Sequence, residues 1–434
     1  MQKLLIFLTI AILCVTGVFA TPVSIEDTIE SAKANNVSLD IAKLELEKSL
    51  RSASTLQSWL PEFSLTGSAT TRGSAINQSF TPLSTNISLG VSYSLGTNLI
   101  GNAESARIQE TLANITYLTK VQSLEDSVRT AYLNLQSSKI SIESSSVTLN
   151  NLQATYESTK DMYESGQASE LSLLDAELAL KKAEYSLKAL NDAYELSLDA
   201  FKILTGINLD DIELDDLEDV VALDLPSAES LIAKYSNSIL SLQSLDASIE
   251  QAERNEKNTK LQSYYPSLSF SAGWDLTGSA NVSSTGNGSS IISDSFHTTV
   301  SVSVPLSSYI PNSKGSNNVK NAEDSVKIAK LNKESSLTSL KTTVKNSINT
   351  INQQYENIAL AEESLELSKK TLELKKESYE AGLVSVSDII SAENNKLSSE
   401  LSLSSAKAQY IKSLYELASA LGTSKSELVK EYSI

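Results

Sequence analysis

The sequence has 434 residues, with 35 Lys and Arg against 53 Asp and Glu, for a formal net charge of −18. That acidic balance argues against a nucleic-acid surface, which needs a basic stripe. A single cysteine, Cys14, and a single histidine, His297, leave no material for disulfides, a thiolate metal site or histidine-based catalysis, and no cofactor or metal is expected.

Residues 1–20 read as a signal peptide. Lys3 supplies a basic start, Leu4 to Val15 is an apolar run too short to span a bilayer as a helix, and Val18-Phe19-Ala20 offers small residues for cleavage after Ala20. Leu13 before Cys14 argues against lipoprotein processing, so the mature chain is expected to lack cysteine. Beyond the leader no run of 18 apolar residues occurs. A membrane crossing would therefore be made by β-strands.

Segment 24–60 has an amphipathic helical pattern, with Ser24 as N-cap, Glu26-Asp27 in the first turn and Pro61 as the stop. Strands follow at about 63–71 and 86–95; in the second, Ile87, Leu89, Val91, Tyr93 and Leu95 alternate with Ser and Gly. Segment 101–164 has no proline and would be about 96 Å long as one helix, the length of a coiled coil. Gly166 breaks it, and 168–204 returns with Leu173, Leu180, Leu187, Leu190, Tyr194 and Phe201 on one seam. An acidic, non-periodic stretch over 208–225 reads as a linker. The plan then repeats: helix 226–263, strands about 268–277 and 296–306, helices 316–380 and 385–421, and a tail at 424–434. His297 reads as an ordinary polar residue at the start of the last strand. The polar stretches Arg72 to Thr85 and Gly278 to Asp294 read as loops.

The repetition is a duplication. Tyr163-Glu-Ser-Gly166 recurs as Tyr379-Glu-Ala-Gly382, Ala176-Glu177 as Ala392-Glu393, Tyr194 as Tyr410 and Gly206 as Gly422, all at an offset of 216 residues. The seam Val121, Leu124, Val128, Ala131, Leu135 through Tyr156 has its counterpart in Leu337, Leu340, Val344, Ile351, Ile358 through Tyr379. The first repeat is 21–207 and the second 226–423, each a helix–β–β–helix–helix unit.

Each strand has one apolar face and one small, polar face, and a length of about 10 residues suits a tilted bilayer crossing. Four strands cannot close a barrel, and open edges are not tolerated in lipid, so the chain must associate. Two copies would give eight strands and three would give twelve; spacing alone leaves both open. Trp59, Tyr264 and Tyr265 stand just before strands, where a membrane-interface aromatic belt would fall. No Walker loop, HExxH, GxSxG or CxxC occurs, and Asp215-Asp216 reads as a solvated pair in the linker.

This ordered set resembles the TolC-type outer-membrane factor family. The resemblance rests on Ser24-Ile-Glu-Asp, Asn35-Asn36 and Leu39, on Pro61 and Pro266 before strands, on Val302-Ser-Val-Pro-Leu306, and on the paired tip motif Tyr-x-x-Gly followed by Ala-Glu. It implies an α+β membrane protein, in which three copies close a 12-stranded β-barrel in the cell outer membrane and a long α-helical coiled-coil barrel lies in the periplasm. It implies a passive exit duct and not an enzyme. The partners would be a periplasmic adaptor (membrane fusion) protein and an inner-membrane pump of RND, ABC or MFS type. The helix-turn-helix tips would form the periplasmic entrance. Asp388 matches the family's acidic ring position, while Ser391 stands where a second acid would be. In the first tip Ser172 and Asp175 occupy those two places, so Asp175 and Asp388 are the expected pore constriction. Tyr163, Gly166, Tyr379 and Gly382 would form the turns that dock the adaptor. A periplasmic structural or adhesive coiled-coil protein without a pore stays open as the alternative.

Overall fold

The computed structural model describes residues 24–56, 62–70, 73–74, 79–80, 84–95, 98–207, 214–215, 217, 220–281 and 289–434. The expected leader, Trp59, Pro61 and Asp216 lie outside them. The first half comprises α1 (Ile25–Asn35), α2 (Val37–Leu56), β1 (Glu62–Thr70), β2 (Ser84–Leu95), α3 (Asn98–Glu164) and α4 (Glu170–Thr205). The second comprises α5 (Ala228–Tyr235), α6 (Leu240–Tyr264), β3 (Ser267–Asn281), β4 (Ser289–Ser303), α7 (Lys314–Glu380), α8 (Val386–Leu421) and a closing α9 (Lys425–Tyr432). The helices α3 and α7 each have 67 residues, α4 and α8 each 36, and both pairs keep the 216-residue offset at both ends.

The first amphipathic segment is two helices, not one. Asn36 leaves helical geometry at φ −80°, ψ 116° while its N–H bonds the Ala32 carbonyl. Its Oδ1 then accepts from the amides of Ser38 (2.9 Å) and Leu39, so one residue closes α1 and caps α2. Its Nδ2 donates to the Leu204 carbonyl at 2.8 Å, tying that break to the end of α4. A matching break separates α5 from α6.

The described residues form two compact units. One contains those within 1–43, 117–240 and 338–434, the other those within 44–116 and 241–337. In the first, α1 packs on α4, α5 and α9 pack on α8, and α4 meets α8. Val128, Leu135 and Leu152 of α3, and Val344, Ile351, Ile358 and Leu372 of α7, are buried, so the seam read from the sequence is covered in the folded chain. Each such side chain contributes about 1.5–3 kcal/mol by leaving water. The 208–225 stretch is held where it is described. The Tyr132 hydroxyl accepts from the Asp215 amide at 3.1 Å, the Tyr410 hydroxyl donates to the Val221 carbonyl at 2.6 Å, and Leu214 and Leu223 are buried. The expected C-terminal tail carries α9, and Leu223 forms an isolated bridge with Ser433.

The second unit carries one four-stranded antiparallel sheet in the order β1-β2-β3-β4. Among the described residues β1 pairs only with β2, and β4 only with β3, so both outer edges are open. The register aligns the apolar positions across all strands. Leu65 stands opposite Leu89, Leu89 opposite Trp274, and Trp274 opposite Phe296. Ser271 and Thr299 line up on the other face. On the apolar face Phe63, Leu65, Ile292, Phe296, Val300 and Val302 are exposed, Phe296 at 72%.

The strands differ in extent from the sequence expectation. The β3–β4 ladder runs from Ser267↔Ser303 to Asn281↔Ser289, so it absorbs most of the polar stretch read as a loop. Its Ser, Thr and Ile residues suit a pleated ladder as well as a loop. The other expected loop contains a two-residue ribbon pairing Gly73-Ser74 with Ser79-Phe80. The strand β4 stops at Ser303 because Pro305 has no N–H for a ladder, and Leu306–Tyr309 turns as a 3-10 helix. His297 consequently lies inside β4. Its ring covers Gly273, where a Cβ would come within 2.6 Å of the imidazole, and its Nδ1 is 3.2 Å from Asp275 Oδ2. No described helix is long and apolar enough to cross a membrane.

The helix-ending glycines separate two costs. Gly382 (φ +71°) and Gly422 (φ +67°) share a left-handed backbone, but a Cβ on Gly382 meets open space and one on Gly422 would lie 2.2 Å from the Ser238 carbonyl oxygen. Gly382→Ala is expected to cost only the conformational penalty, about 1–2 kcal/mol. Gly422→Ala adds a backbone collision, so it is expected to lower the thermal unfolding temperature, read by circular dichroism, at least twice as far.

Candidate functional site at the helix-hairpin tips

Each pair of long helices is joined by a five-residue turn, 165–169 between α3 and α4 and 381–385 between α7 and α8. The two turns are built alike. The amide of Gly166 donates to the Tyr163 carbonyl and that of Gly382 to the Tyr379 carbonyl, both at 2.9 Å. A longer bond overlaps each, Gln167 N to Met162 O at 2.7 Å and Leu383 N to Ser378 O at 2.9 Å. These bonds satisfy last-turn carbonyls, and Gly166 (φ +77°) and Gly382 (φ +71°) supply the left-handed residue that such a closure requires. Serine then caps the return helix: Ser169 Oγ accepts from Ser172 N at 3.1 Å, and Ser385 Oγ from Asp388 N at 3.3 Å.

Beyond the caps the tips diverge. Asp388 Oδ2 accepts from the Ser385 amide at 3.0 Å and from its hydroxyl at 2.7 Å, completing a capping box. Its Oδ1 pairs with Lys375 Nζ at 3.0 Å. In the first tip Ser172 replaces this carboxylate, and Thr159 stands at the repeat position of Lys375. The first-tip acid, Asp175, is one turn farther along α4, half-buried, with no hydrogen bond or ion pair among the described residues. It helps line a cavity of about 420 Å³ between α3, α4 and α8, together with Ser145, Thr148, Lys182 and Asn394. The two carboxylates read as one constriction are thus in different surroundings, one engaged and one not.

Further contacts tie the second hairpin to the first through Glu393, Asn151 and Thr159, residues to which sequence reading assigned no role. Glu393 on α8 is fully buried, with Lys376 Nζ of α7 2.9 Å from its Oε1 and Asn151 Nδ2 of α3 donating to Oε2 at 3.2 Å. The Tyr379 and Thr159 hydroxyls meet at 2.9 Å. The repeated Ala-Glu pair was visible in the sequence, but its burial in one copy and exposure in the other was not, because that depends on which helix each copy faces. Tyr264 ends α6 and packs against Tyr309 with ring centres 5.4 Å apart and planes tilted by 57°, and the Tyr309 hydroxyl donates to the Tyr264 carbonyl at 2.6 Å. Tyr265 beside it is exposed.

The sequence matches a family model described as outer membrane efflux protein over residues 28–206 and 231–423. Among solved structures it is similar to CusC, a transmembrane-channel structure, with a TM-score of 0.74, 17% identity and coverage of 94% of each chain. It is also similar to the outer membrane protein VceC from Vibrio cholerae, with a TM-score of 0.69, 17% identity, and coverage of 92% of this chain and 96% of that one. The MtrE outer membrane channel of Neisseria gonorrhoeae, solved in an open state, gives 0.70, 18% identity, and coverage of 92% and 89%. At these identities the likeness is one of fold. No curated protein matches the sequence significantly.

The Asp388 contacts carry a pH signature. Hydrogen bonds from Ser385 and then Lys375 hold its carboxyl at about 2, below the ordinary 3.8. A depressed acid contributes stability that is complete above its unfolded value and is lost as pH falls through its folded value. Asp388→Asn is therefore expected to lower the unfolding temperature equally at pH 7 and pH 5. A difference from wild type should persist at pH 3, where an unengaged aspartate would already be mostly protonated. Thermal melts followed by circular dichroism at the three pH values check this.

Proposed function

The chain belongs to the outer membrane efflux protein family, and from that membership we propose that it is the passive exit duct of a tripartite efflux or type I secretion system. A homotrimer would bring twelve strands together as a barrel in the outer membrane, with the helical hairpins in the periplasm. The observation that carries this reading is the sheet. One face is apolar over Phe63, Leu65, Leu89, Trp274, Phe296, Val300 and Val302, interrupted in β4 by Asp294 and Thr298; the other carries mostly Ser, Thr and Gly, with Asp275 and His297 among them, and among the described residues both edge strands have an unpaired side. In hydrocarbon each unpaired backbone group costs several kcal/mol, so only closure with further strands makes such a sheet tolerable.

The helices add support. Leu360, Leu367 and Leu374 of α7 recur every seven residues and are exposed, as are Tyr185, Leu196 and Ile203 of α4. Large apolar stripes of this kind mark surfaces that are covered in the working assembly. The duplication indicates what covers them. Within one copy, α8 of the second hairpin meets α3 and α4 of the first. Shifting both partners by one repeat places α4 of the next copy against α7 and α8. Applied around a ring, that rule leaves no hairpin without a neighbour.

In this proposal Asp175 and Asp388 narrow the entrance, while the turns at Tyr163, Gly166, Tyr379 and Gly382 dock a periplasmic adaptor. The inner-membrane partner, of RND, ABC or MFS type, supplies energy and selection, so the duct needs no catalytic residues of its own. Tyr264 and Tyr265 would sit at the membrane interface.

Planar-bilayer recording of the purified protein tests the reading. The expected result is a trimer that conducts, cation-selective because of its acidic entrance. Replacing Asp175 and Asp388 together by Ala should raise conductance and weaken block by divalent cations. A monomeric, non-conducting protein would overturn the duct in favour of a structural coiled-coil role. Unchanged conductance in the double variant would overturn the constriction alone.

A further inference from the structure

We infer that the cavity between α3, α4 and α8 is a binding site for a short linear zwitterion, of the length of an unblocked di- or tripeptide. The inference goes beyond the duct reading and does not depend on it, because every residue of the cavity belongs to one copy.

The cavity has a volume of about 420 Å³, within the range of small-molecule sites, about 300–1,000 Å³. Its floor is α3, where Ser145, Thr148 and Leu152 are buried, Thr148 at 2% exposed. The Thr148 hydroxyl has no hydrogen-bond partner among the described residues. A helical threonine commonly donates to the carbonyl four residues back. Thr111, Thr116, Thr155 and Thr159 of the same helix all do so. A hydroxyl taken from water and left unpaired is destabilising. The one on Thr148 is therefore available to an atom from outside the chain.

The charges stand on one wall. Asp175 and Lys182 of α4 both line the cavity, and neither has an ion pair or hydrogen bond among the described residues. Their separation of seven residues is two turns on one helix face, about 10.5 Å along the axis. The long lysine side chain leans toward the helix N-terminus, which shortens the gap between the charges. An extended chain spans about 3.4 Å per residue, so two or three residues bridge the pair and a free amino acid does not. A simple cation would be opposed by Lys182, and a simple anion by Asp175. A zwitterion laid from one to the other meets both, its ammonium on Asp175 and its carboxylate on Lys182. Between the charges, Leu178, Ile390 and Leu397 offer apolar contact, while Asn394 and the Thr148 hydroxyl can bond a peptide group.

The duplication shows that the architecture does not require these residues. At the 216-residue offset Thr148, Asp175 and Lys182 become Ser364, Ser391 and Ser398, so the second repeat carries neither charge. The helices were copied and the charge pair was not kept in both.

Isothermal titration of the full-length protein in detergent, with trialanine as the probe, tests the inference. The expected result is saturable binding at one site per copy, with dialanine also bound and free alanine not bound at the same concentrations. Acetylating the amino end or amidating the carboxyl end should each weaken binding at least about tenfold, as should Asp175→Asn and Lys182→Met. Thr148→Val should weaken binding while raising the unfolding temperature of the ligand-free protein, because an unpaired hydroxyl is replaced by a methyl of the same shape. Failure of both peptides to bind would overturn the inference. So would binding indifferent to the blocked ends or to the Asp175 and Lys182 substitutions, and so would a Thr148→Val variant that unfolds at a lower temperature, since a bound water would then already serve the hydroxyl. Conductance is not a readout here. A non-conducting protein that binds trialanine removes the duct and leaves the site, and a conducting protein that does not bind it removes the site and leaves the duct.

Discussion

A β-strand in hydrocarbon cannot leave its amides and carbonyls unpaired, and among the described residues both outer strands of this sheet have a single neighbour. That constraint organises everything else about the chain. It makes the single copy incomplete, since its apolar face and its two open edges are stable only when further strands continue the ladder. It also explains why the membrane part can be so small. In the proposed trimer four strands suffice, because each copy would supply only a share of the wall, and most of the sequence can then form helices. The small residues on the opposite face follow from the same requirement. Where the proposed wall would enclose a wet space, Ser, Thr and Gly leave room, and the His297 imidazole occupies the place that a side chain on Gly273 would take.

The duplication supplies the second theme. Both halves end their long helices in the same way, with a left-handed glycine and a serine cap, because those solutions depend on local backbone chemistry and survive copying. The side chains between the hairpins need not survive it, since each half meets a different neighbour. Asp388 keeps a capping box and a lysine while its counterpart Ser172 keeps only a hydroxyl. Glu393 is enclosed while its counterpart Glu177 is exposed. Near-identical backbones thus carry different side-chain contacts.

Much of this fold could be read from spacing. Heptads, the two tip motifs and the alternation of the strands each report a local periodicity, so the helix–β–β–helix–helix plan and its repetition were legible. Extents were less so. Asn36 breaks a helix that looks continuous because its side chain serves as a stop and a start at once. The polar ends of β3 and β4 read as a loop because Ser and Thr suit both states, and only the ladder partner decides. Pro305 was a visible stop that alternation beyond it obscured. At the tips the turn glycines were legible for the same local reason. The engagement of Asp388 by Lys375 and the burial of Glu393 were not, because both depend on which face of one long helix meets another, a three-dimensional fact with no short-range signature.

The equal lengths of α3 and α7 have a consequence for how such a chain can change over generations. Two columns of 67 residues with registered ends act as paired rulers. Deleting seven residues from α3 alone preserves its own seam but shortens one column by about 10 Å, and the two turns no longer stand level. Length variation among descendants of this sequence should therefore be inherited in matched pairs, in both halves and in whole heptads, while the polar connections between strands drift in length freely.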